Sequence, residues 1–384
     1  MPIQKINIEE FLKLAKLYPL LDVRSPGEYK HAHIPNANSL PLFSDEERKQ
    51  VGTAYKQQSR EAAIKIGLDY FGVKMRKMVE EVESLIVDRC SLTGEVLHTN
   101  NEQRTTNNVL IHCWRGGMRS AAVAWLLDMY GFKVYLLAGG YKAYRKWVLA
   151  QFEKEYNFNI IGGYTGSGKT LVLQELGKQH KTIIDLEALA NHKGSAFGAI
   201  DIPQPGQEMF ENMLGEALFV ARCSSAGSCG LTEENVSSTN NEQQSTVIFL
   251  EDESQRIGNL QIPMPLWNTM RKAPVFFMDI PFEERLDYIT EDYGKIKKEI
   301  LQAAVLRIKK RLGGLETKNA LRFLEENNYK DCFRILLSYY DKWYVKGLHN
   351  RENIGNLLNK IPCTGVDTKI NTQKILSCNI VSVS

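Results

Sequence analysis

The chain has 384 residues, of which 43% are hydrophobic and 24% charged, the make-up of a globular protein of two or three domains at roughly 100–200 residues each. This excludes a chain disordered throughout, a collagen-like repeat and a long coiled coil. With 48 basic and 45 acidic residues the net charge is +3, too small for a wholly basic nucleic-acid binder, although local clusters remain available for RNA. Seven cysteines, scattered and odd in number, make no disulfide framework and fit a reducing, cytoplasmic compartment. The first 18 residues lack the basic start, apolar core and cleavage site of a signal peptide. No apolar run nears the roughly 18 residues of a membrane span, so no membrane partner is expected.

Short apolar runs alternate with helical patterns. Strands are predicted at 20–23 and 109–112, then a helix at 120–130 closed by Gly131, then a strand at 134–137 stopped by Gly139-Gly140. Strand–helix–strand spacing of this kind predicts parallel strands. A basic-aromatic helix is predicted at 143–156, bridging to a second α/β unit. There the strand 158–161, the helix 170–178 and the strands 182–185, 247–250 and 275–280 follow in order, and 282–341 reads as largely helical. The polar stretches 91–108 and 223–246 are expected to be exposed loops. The tail beyond Asn350 shows no clear pattern.

The first constellation with chemistry is His112-Cys113-Trp114-Arg115-Gly116-Gly117-Met118-Arg119-Ser120. Cys113 directly follows a strand, and Ser120 is placed to cap the next helix. A sharp turn between them aims backbone N–H groups inward at a helix N-terminus, which cradles an anion and favours the thiolate. Arg119 adds a planar fork suited to a tetrahedral oxyanion. The remaining cysteines show no paired spacing, so a zinc site is not expected. Asp22-Val23-Arg24-Ser25-Pro26, Glu28, His33-Ile34-Pro35-Asn36-Ala37, Cys113 and Leu137-Ala138-Gly139-Gly140-Tyr141 together resemble a rhodanese domain. That resemblance implies that Cys113 carries sulfur or selenium as a persulfide or perselenide. The loop also matches the His-Cys-x-x-Gly-x-x-Arg-Ser pattern of protein-tyrosine phosphatases. It is a residue longer before the arginine than the usual sulfurtransferase loop, so phosphate ester hydrolysis and the handling of a chalcogen attached to phosphate both stay open.

The second constellation is Gly163-Tyr164-Thr165-Gly166-Ser167-Gly168-Lys169-Thr170, which fits G-x-x-x-x-G-K-[ST] between a strand and a helix. Gly163, Gly166, Ser167 and Gly168 bring backbone N–H groups to phosphate oxygens. Lys169 supplies a point charge, and Thr170 is placed for Mg²⁺ or a phosphate. Glu251-Asp252-Glu253 follows one strand, and Asp185 and Glu187 end another. Asp185, Glu251 and Asp252 are the candidate acidic partners. No tightly bound cofactor or resident metal is expected, although the phosphate loop allows Mg²⁺.

A rhodanese-like unit followed by a P-loop unit is a narrow combination. The two loops, Asp185-Leu186-Glu187, Ala190-Asn191-His192-Lys193-Gly194-Ser195-Ala196-Phe197-Gly198, Leu250-Glu251-Asp252-Glu253-Ser254, Arg256-Ile257-Gly258, Arg311-Leu312-Gly313-Gly314 and Tyr339-Tyr340-Asp341-Lys342 resemble the bacterial tRNA 2-selenouridine synthase family. The resemblance implies an α/β architecture. A rhodanese-like parallel-sheet domain over 1–150 precedes a P-loop NTPase-like domain over 151–350 with a helical C-terminal part. A low-complexity insertion lies at 222–246, and the tail 351–384 stays unassigned. The implied substrates are selenophosphate, geranyl diphosphate and tRNA carrying wobble 2-thiouridine, with Lys, Glu and Gln acceptors. 2-Thiouridine becomes 2-selenouridine by way of S-geranyl-2-thiouridine. The resemblance also allows a selenophosphate-supplying enzyme as partner.

The stretch 295–311 holds seven basic residues and one acid, Glu299. Lys298, Arg307, Lys310 and Arg311 are candidate tRNA contacts on one broad face. Lys142 and Arg145 are further candidates, with Tyr141, Tyr144 and Trp147 available for base stacking. Two other readings stay open here: a Cys-dependent phosphatase fused to a kinase-like domain, and a nucleotide-regulated tRNA-binding protein without catalysis.

Overall fold

In the first 150 residues the apolar runs form strands β2 (Leu20–Asp22), β4 (Asn108–His112) and β5 (Lys133–Leu137), and the short polar segments β1 (Gln4–Ile6) and β3 (Asn38–Ser39) pair at the two edges. The computed structural model describes residues 3–93, 107–192, 203–223 and 246–378 and divides the chain into two units, Met1–Ala150 and Gln151–Ser384. In the first unit the sheet order is β1-β5-β4-β2-β3, parallel throughout. Strand β4 is buried along its whole length, as expected where helices cover both faces of a parallel sheet. Leu21, Val109, Ile111, Val123, Leu127 and Leu136 make the centre of its core.

In the second unit β6 (Asn157–Gly163), β7 (Thr182–Ile184), β8 (Val247–Glu251), β11 (Val275–Asp279) and β12 (Leu358–Pro362) form a parallel sheet in the order β12-β11-β6-β8-β7. A two-stranded antiparallel ribbon, β9 (Arg256–Ile257) and β10 (Leu260–Gln261), lies outside it. The segment after Asn350, unassigned from sequence, belongs to this unit. Strand β12 pairs with β11, and Ile361 and Ile375 share a core with Val172, Leu173 and Leu176 of the Lys169–Lys178 helix. Between β11 and β12 come the helices Phe282–Tyr293, Lys298–Leu312, Gly314–Glu325 and Tyr329–His349. They pack on one another through Leu286, Leu301, Val305, Leu324, Phe333 and Leu337.

Several expectations move. The helix placed at 143–156 is Gly140–Gln151, because Gly139 and Gly140 turn with positive φ and the helix begins inside that turn. The helix after Cys113 starts at Met118 with Gly117 as its N-cap, so Ser120 sits in the first turn and is not the cap. The polar stretches are not loop at their described edges: residues 91–93 end the Met75–Thr93 helix, Asn108 opens the buried β4, and Cys223 ends the Gln207–Cys223 helix; residues 94–106 and 224–245 lie outside the described residues, as does 193–198 of the Ala190–Gly198 motif.

Candidate functional site

Both loops stand at the carboxyl ends of parallel strands, where open α/β sheets place their ligands. Cys113 leaves β4 and is 3% exposed. Its carbonyl accepts from Tyr141 N–H at 2.8 Å, and the Trp114 carbonyl accepts from Lys142 N–H at 3.0 Å. Gly140 makes this approach possible. A Cβ there would stand 2.3 Å from the Cys113 carbonyl oxygen. Sγ lies 3.2 Å from the Ser120 hydroxyl. Burial alone would push the thiol up. The Ser120 hydroxyl and the backbone N–H groups of Arg115, Ser120 and Gly117 outweigh it, and the thiol is held below its ordinary value. The loop therefore favours the thiolate more than an ordinary cysteine site does.

Arg119 Nη1 donates to Glu28 at 2.8 Å. Glu28 also accepts from the Ser25 N–H at 3.0 Å and pairs with Arg48 at 3.1 Å. Burial opposes its charge, but Arg119, the Ser25 N–H and Arg48 bring its carboxyl down to about 2. Beneath the loop Arg24 is buried in a forked pair with Asp22, at 2.9 and 2.6 Å. Its guanidinium stacks 3.8 Å from the Tyr141 ring centroid. His112 is also buried, 3.6 Å from Asp22, and burial drives it down to about 4 despite that carboxylate. His112 is therefore neutral at neutral pH.

The phosphate loop joins β6 to the Lys169–Lys178 helix. Gly166 has φ +79, and a Cβ there would stand 2.5 Å from the Ile289 side chain and 3.2 Å from the Arg285 carbonyl oxygen. Lys169 Nζ donates to the Gly163 carbonyl at 2.9 Å, and the Thr170 hydroxyl donates to Glu187 at 3.1 Å. Ser167 is buried, its hydroxyl against Gly163. A cavity of about 1170 Å³ opens over this loop. Glu187, Glu253, Trp267, Tyr288, Tyr339 and Trp343 are among the residues that line it.

Glu187, Glu251 and Glu253 each place a carboxylate oxygen within 4.8 Å of the others. Glu251 is buried with neither oxygen in a well-formed hydrogen bond, although Thr170 lies close enough to favour its charge. Burial and the neighbouring carboxylates push Glu251 well up, and Glu253 to about 8. Three crowded carboxylates whose repulsion Lys169 offsets only in part, beside the loop hydroxyl of Thr170, fit a Mg²⁺ ion.

The other two acidic candidates are used differently. Asp185 caps the Leu186–Ala190 helix through the Ala188 N–H at 2.8 Å. Asp252 pairs with Arg351 and accepts from Tyr344 Oη at 2.6 Å. Tyr344 Oη in turn accepts from the Gly163 N–H at 3.1 Å, so Asp252 anchors the start of the phosphate loop. Arg285 holds its middle. It donates to the Thr165 carbonyl at 3.0 Å and forks onto Asp341 at 3.0 and 2.7 Å. Arg285, Tyr344 and Arg351 escape a sequence reading because their partners lie 56 to 181 positions away.

Residues 7–146 match the rhodanese-like domain, and residues 156–359 match the family described as the tRNA 2-selenouridine synthase AAA domain. A tRNA 2-selenouridine synthase of Bdellovibrio bacteriovorus is 31% identical over 376 residues, covering 87% of this chain and 89% of that protein. The chain belongs to the tRNA 2-selenouridine synthase family. Selenouridine synthases of Nitrosomonas europaea and Serratia proteamaculans are 34% and 36% identical over 72% of the chain. The chain spans just under two thirds of those two relatives, 63% and 64% of their length.

The basic residues expected to meet tRNA in this selenouridine synthase family member divide. Arg307, Lys310 and Arg311 are exposed on the Lys298–Leu312 helix, and Arg311 reaches the rim of the cavity. Lys298 does not join them. It lies about 2.5 turns from Arg307, hence on the opposite side, and its Nζ donates to the Glu325 carbonyl at 3.3 Å. Lys142 is exposed and Arg145 half-buried. The aromatics beside them are not available to bases: Tyr141 and Tyr144 are fully buried and Trp147 is 8% exposed. Tyr144 stacks on Trp147 and packs at a tilt against Tyr141 in the core, because a helix covering a parallel sheet turns its bulky apolar face inward.

Proposed function

We propose that this protein is an enzyme of tRNA wobble-uridine modification. It converts 2-thiouridine to 2-selenouridine with selenophosphate, through an S-geranyl-2-thiouridine made from geranyl diphosphate. Family membership supports the tRNA reaction. The observation that carries the chemistry is the presence of two different anion cradles on one chain. One holds the thiol of Cys113 below its ordinary value; the other is a phosphate loop under an aromatic-walled cavity.

In this reading the 163–170 loop receives the diphosphate, and Trp267, Tyr288, Tyr339 and Trp343, which line the cavity, offer apolar surface to the prenyl chain. The thiouridine sulfur attacks the first carbon of the geranyl group. The carbon–oxygen bond breaks, and pyrophosphate leaves against the loop N–H groups and Lys169. Glu187, Glu251, Glu253 and Thr170 would hold a Mg²⁺ ion, which would neutralise charge on the departing diphosphate. Alkylation turns a poor leaving group, the thione sulfur, into a thiol that departs when selenium enters at the same carbon. The Cys113 loop receives selenophosphate, with Arg119 on its phosphate. Lys142, Arg145, Arg307, Lys310 and Arg311 are proposed to supply phosphate contacts for the tRNA, and a selenophosphate-supplying enzyme is the natural partner.

Nucleoside mass spectrometry on tRNA bearing wobble 2-thiouridine tests the reading. Incubation with geranyl diphosphate should yield the geranylated nucleoside, and added selenophosphate should convert it to 2-selenouridine. Unchanged 2-thiouridine with tRNA bound would overturn it.

A further inference from the structure

The cavity over the phosphate loop has a neighbour. A second hollow of about 600 Å³ is formed by the end of the Lys298–Leu312 helix and one side of the Tyr329–His349 helix. Arg311, Tyr339 and Trp343 line both cavities, so the two adjoin. The wall has helical spacing. Ile335, Tyr339, Lys342, Trp343 and Lys346 recur at i, i+4, i+7, i+8 and i+11, which sets them on one side of the helix over roughly 16 Å. The adjoining side holds the core, where Phe333, Leu336 and Leu337 are buried.

This wall offers cations and a ring to solvent. Trp343 is 48% exposed, and Lys342 and Lys346 are exposed. Lys346 Nζ stands 5.2 Å over the indole. Among the described residues neither lysine makes an ion pair. Arg311 lies beside the Tyr339 hydroxyl. Arg334 is taken by Glu283, and Glu316 is the single acid among the described residues of the lining. Unpaired ammonium groups beside an exposed indole have the chemistry of a single-stranded nucleic-acid site, in which cations take the phosphates and the flat ring takes a base. An acidic protein segment would use the lysines and leave the indole in water.

The place of the hollow selects the nucleotide. A wobble uridine in the main cavity is tied by phosphodiester bonds to its two neighbours, and these must lie at the cavity's edge. Arg311, Tyr339 and Trp343 are that edge on the side of the second hollow. Bases of single-stranded RNA loops are recognised splayed out and stacked on aromatic rings. Stacking outweighs an exposed cation–π contact, so an arriving base displaces Lys346 from the indole and frees its ammonium for phosphate. We propose that this hollow is the docking site for one nucleotide beside the wobble uridine, with its base on Trp343 and its phosphates on Lys342, Lys346 and Arg311. The proposal rests on tRNA as the substrate of the neighbouring cavity. It adds a reason for action on an RNA loop: a free nucleoside has no neighbour to dock.

The test is tRNA binding by the full-length protein with no donor present, so that contact of Trp343 with a prenyl chain does not enter. The double variant Lys342→Ala/Lys346→Ala should keep its melting temperature and lower the slope of log affinity against log salt by about 2. For Trp343, intact tRNA is compared with tRNAs that carry an abasic site at either neighbour of the wobble position. At one neighbour, loss of the base should weaken binding to the wild type by about tenfold and leave binding to Trp343→Ala unchanged. A salt slope that the double variant does not alter would overturn the proposal. So would equal abasic penalties in wild type and Trp343→Ala at both neighbours. A tRNA that shows both effects yet stays 2-thiouridine when the donors are added would instead sink the proposed function and leave this inference standing.

Discussion

Arg119 Nη1 donates to Glu28 at 2.8 Å across 91 positions of sequence, so the arginine of the cysteine loop is aimed by a carboxylate on the helix after β2. A free guanidinium at the loop mouth would sample many rotamers. This one is held before any anion arrives.

Glu28→Gln removes the charge that holds Arg119. Selenium incorporation should fall on the order of tenfold, with geranyl transfer unchanged. The acid limb of stability should change as well. Glu28 ionises at about 2 when folded against an ordinary 4.5. Its contribution is therefore complete above pH 4.5 and is lost as pH falls towards 2. Thermal melts across that window should show a shallower acid decline for the variant.

His112 acts at milder pH. Its folded value is about 4 against an ordinary 6.5, so between those limits the unfolded chain binds the extra proton. Stability is complete above pH 6.5 and declines as pH falls towards 4, by on the order of 3 kcal/mol. Denaturant midpoints of the wild type should fall through that window, and His112→Asn should flatten the slope there. A wild-type slope of zero between 6.5 and 4 would refute the buried neutral imidazole.

Strand β12 is an edge strand with one buried apolar side chain, Ile361, 3% exposed. Ile361→Ala should destabilise the second unit by about 2–5 kcal/mol, read as a lower denaturant midpoint. An unchanged midpoint would mean that the segment is a dispensable tail.

Glu251 is buried among like charges. Glu251→Gln should therefore raise the melting temperature of the metal-free protein, abolish the further rise that Mg²⁺ causes in the wild type, and lower geranyl transfer on the order of 100-fold. A variant that still responds to Mg²⁺ would place the ion elsewhere.

The two loops were legible in sequence because their chemistry is contiguous. Gly163 to Lys169 and Cys113 to Arg119 each occupy one turn between a strand and a helix, so spacing alone carries the geometry. The carboxylates were not separable that way. Asp185, Glu187, Glu251, Asp252 and Glu253 all lie at or just after strand ends, and only folding shows that Asp185 is a helix cap and Asp252 the partner of Arg351. Tyr141 and Tyr144 misled for a related reason, since basic neighbours on a helix do not reveal that its aromatic side faces a sheet. Strand β12 was illegible because an edge strand that buries a single isoleucine has almost no periodicity to read.

The central claim is that the two cradles serve two donors, and the point at which single variants arrest tests it most directly. Nucleoside mass spectrometry on 2-thiouridine tRNA would follow Lys169→Ala and Cys113→Ser with both donors present. The account predicts that Cys113→Ser accumulates S-geranyl-2-thiouridine without 2-selenouridine. Lys169→Ala should leave 2-thiouridine unchanged, yet selenate a tRNA supplied already geranylated. The reverse pattern, or loss of both steps in Cys113→Ser with its fold intact, would contradict it.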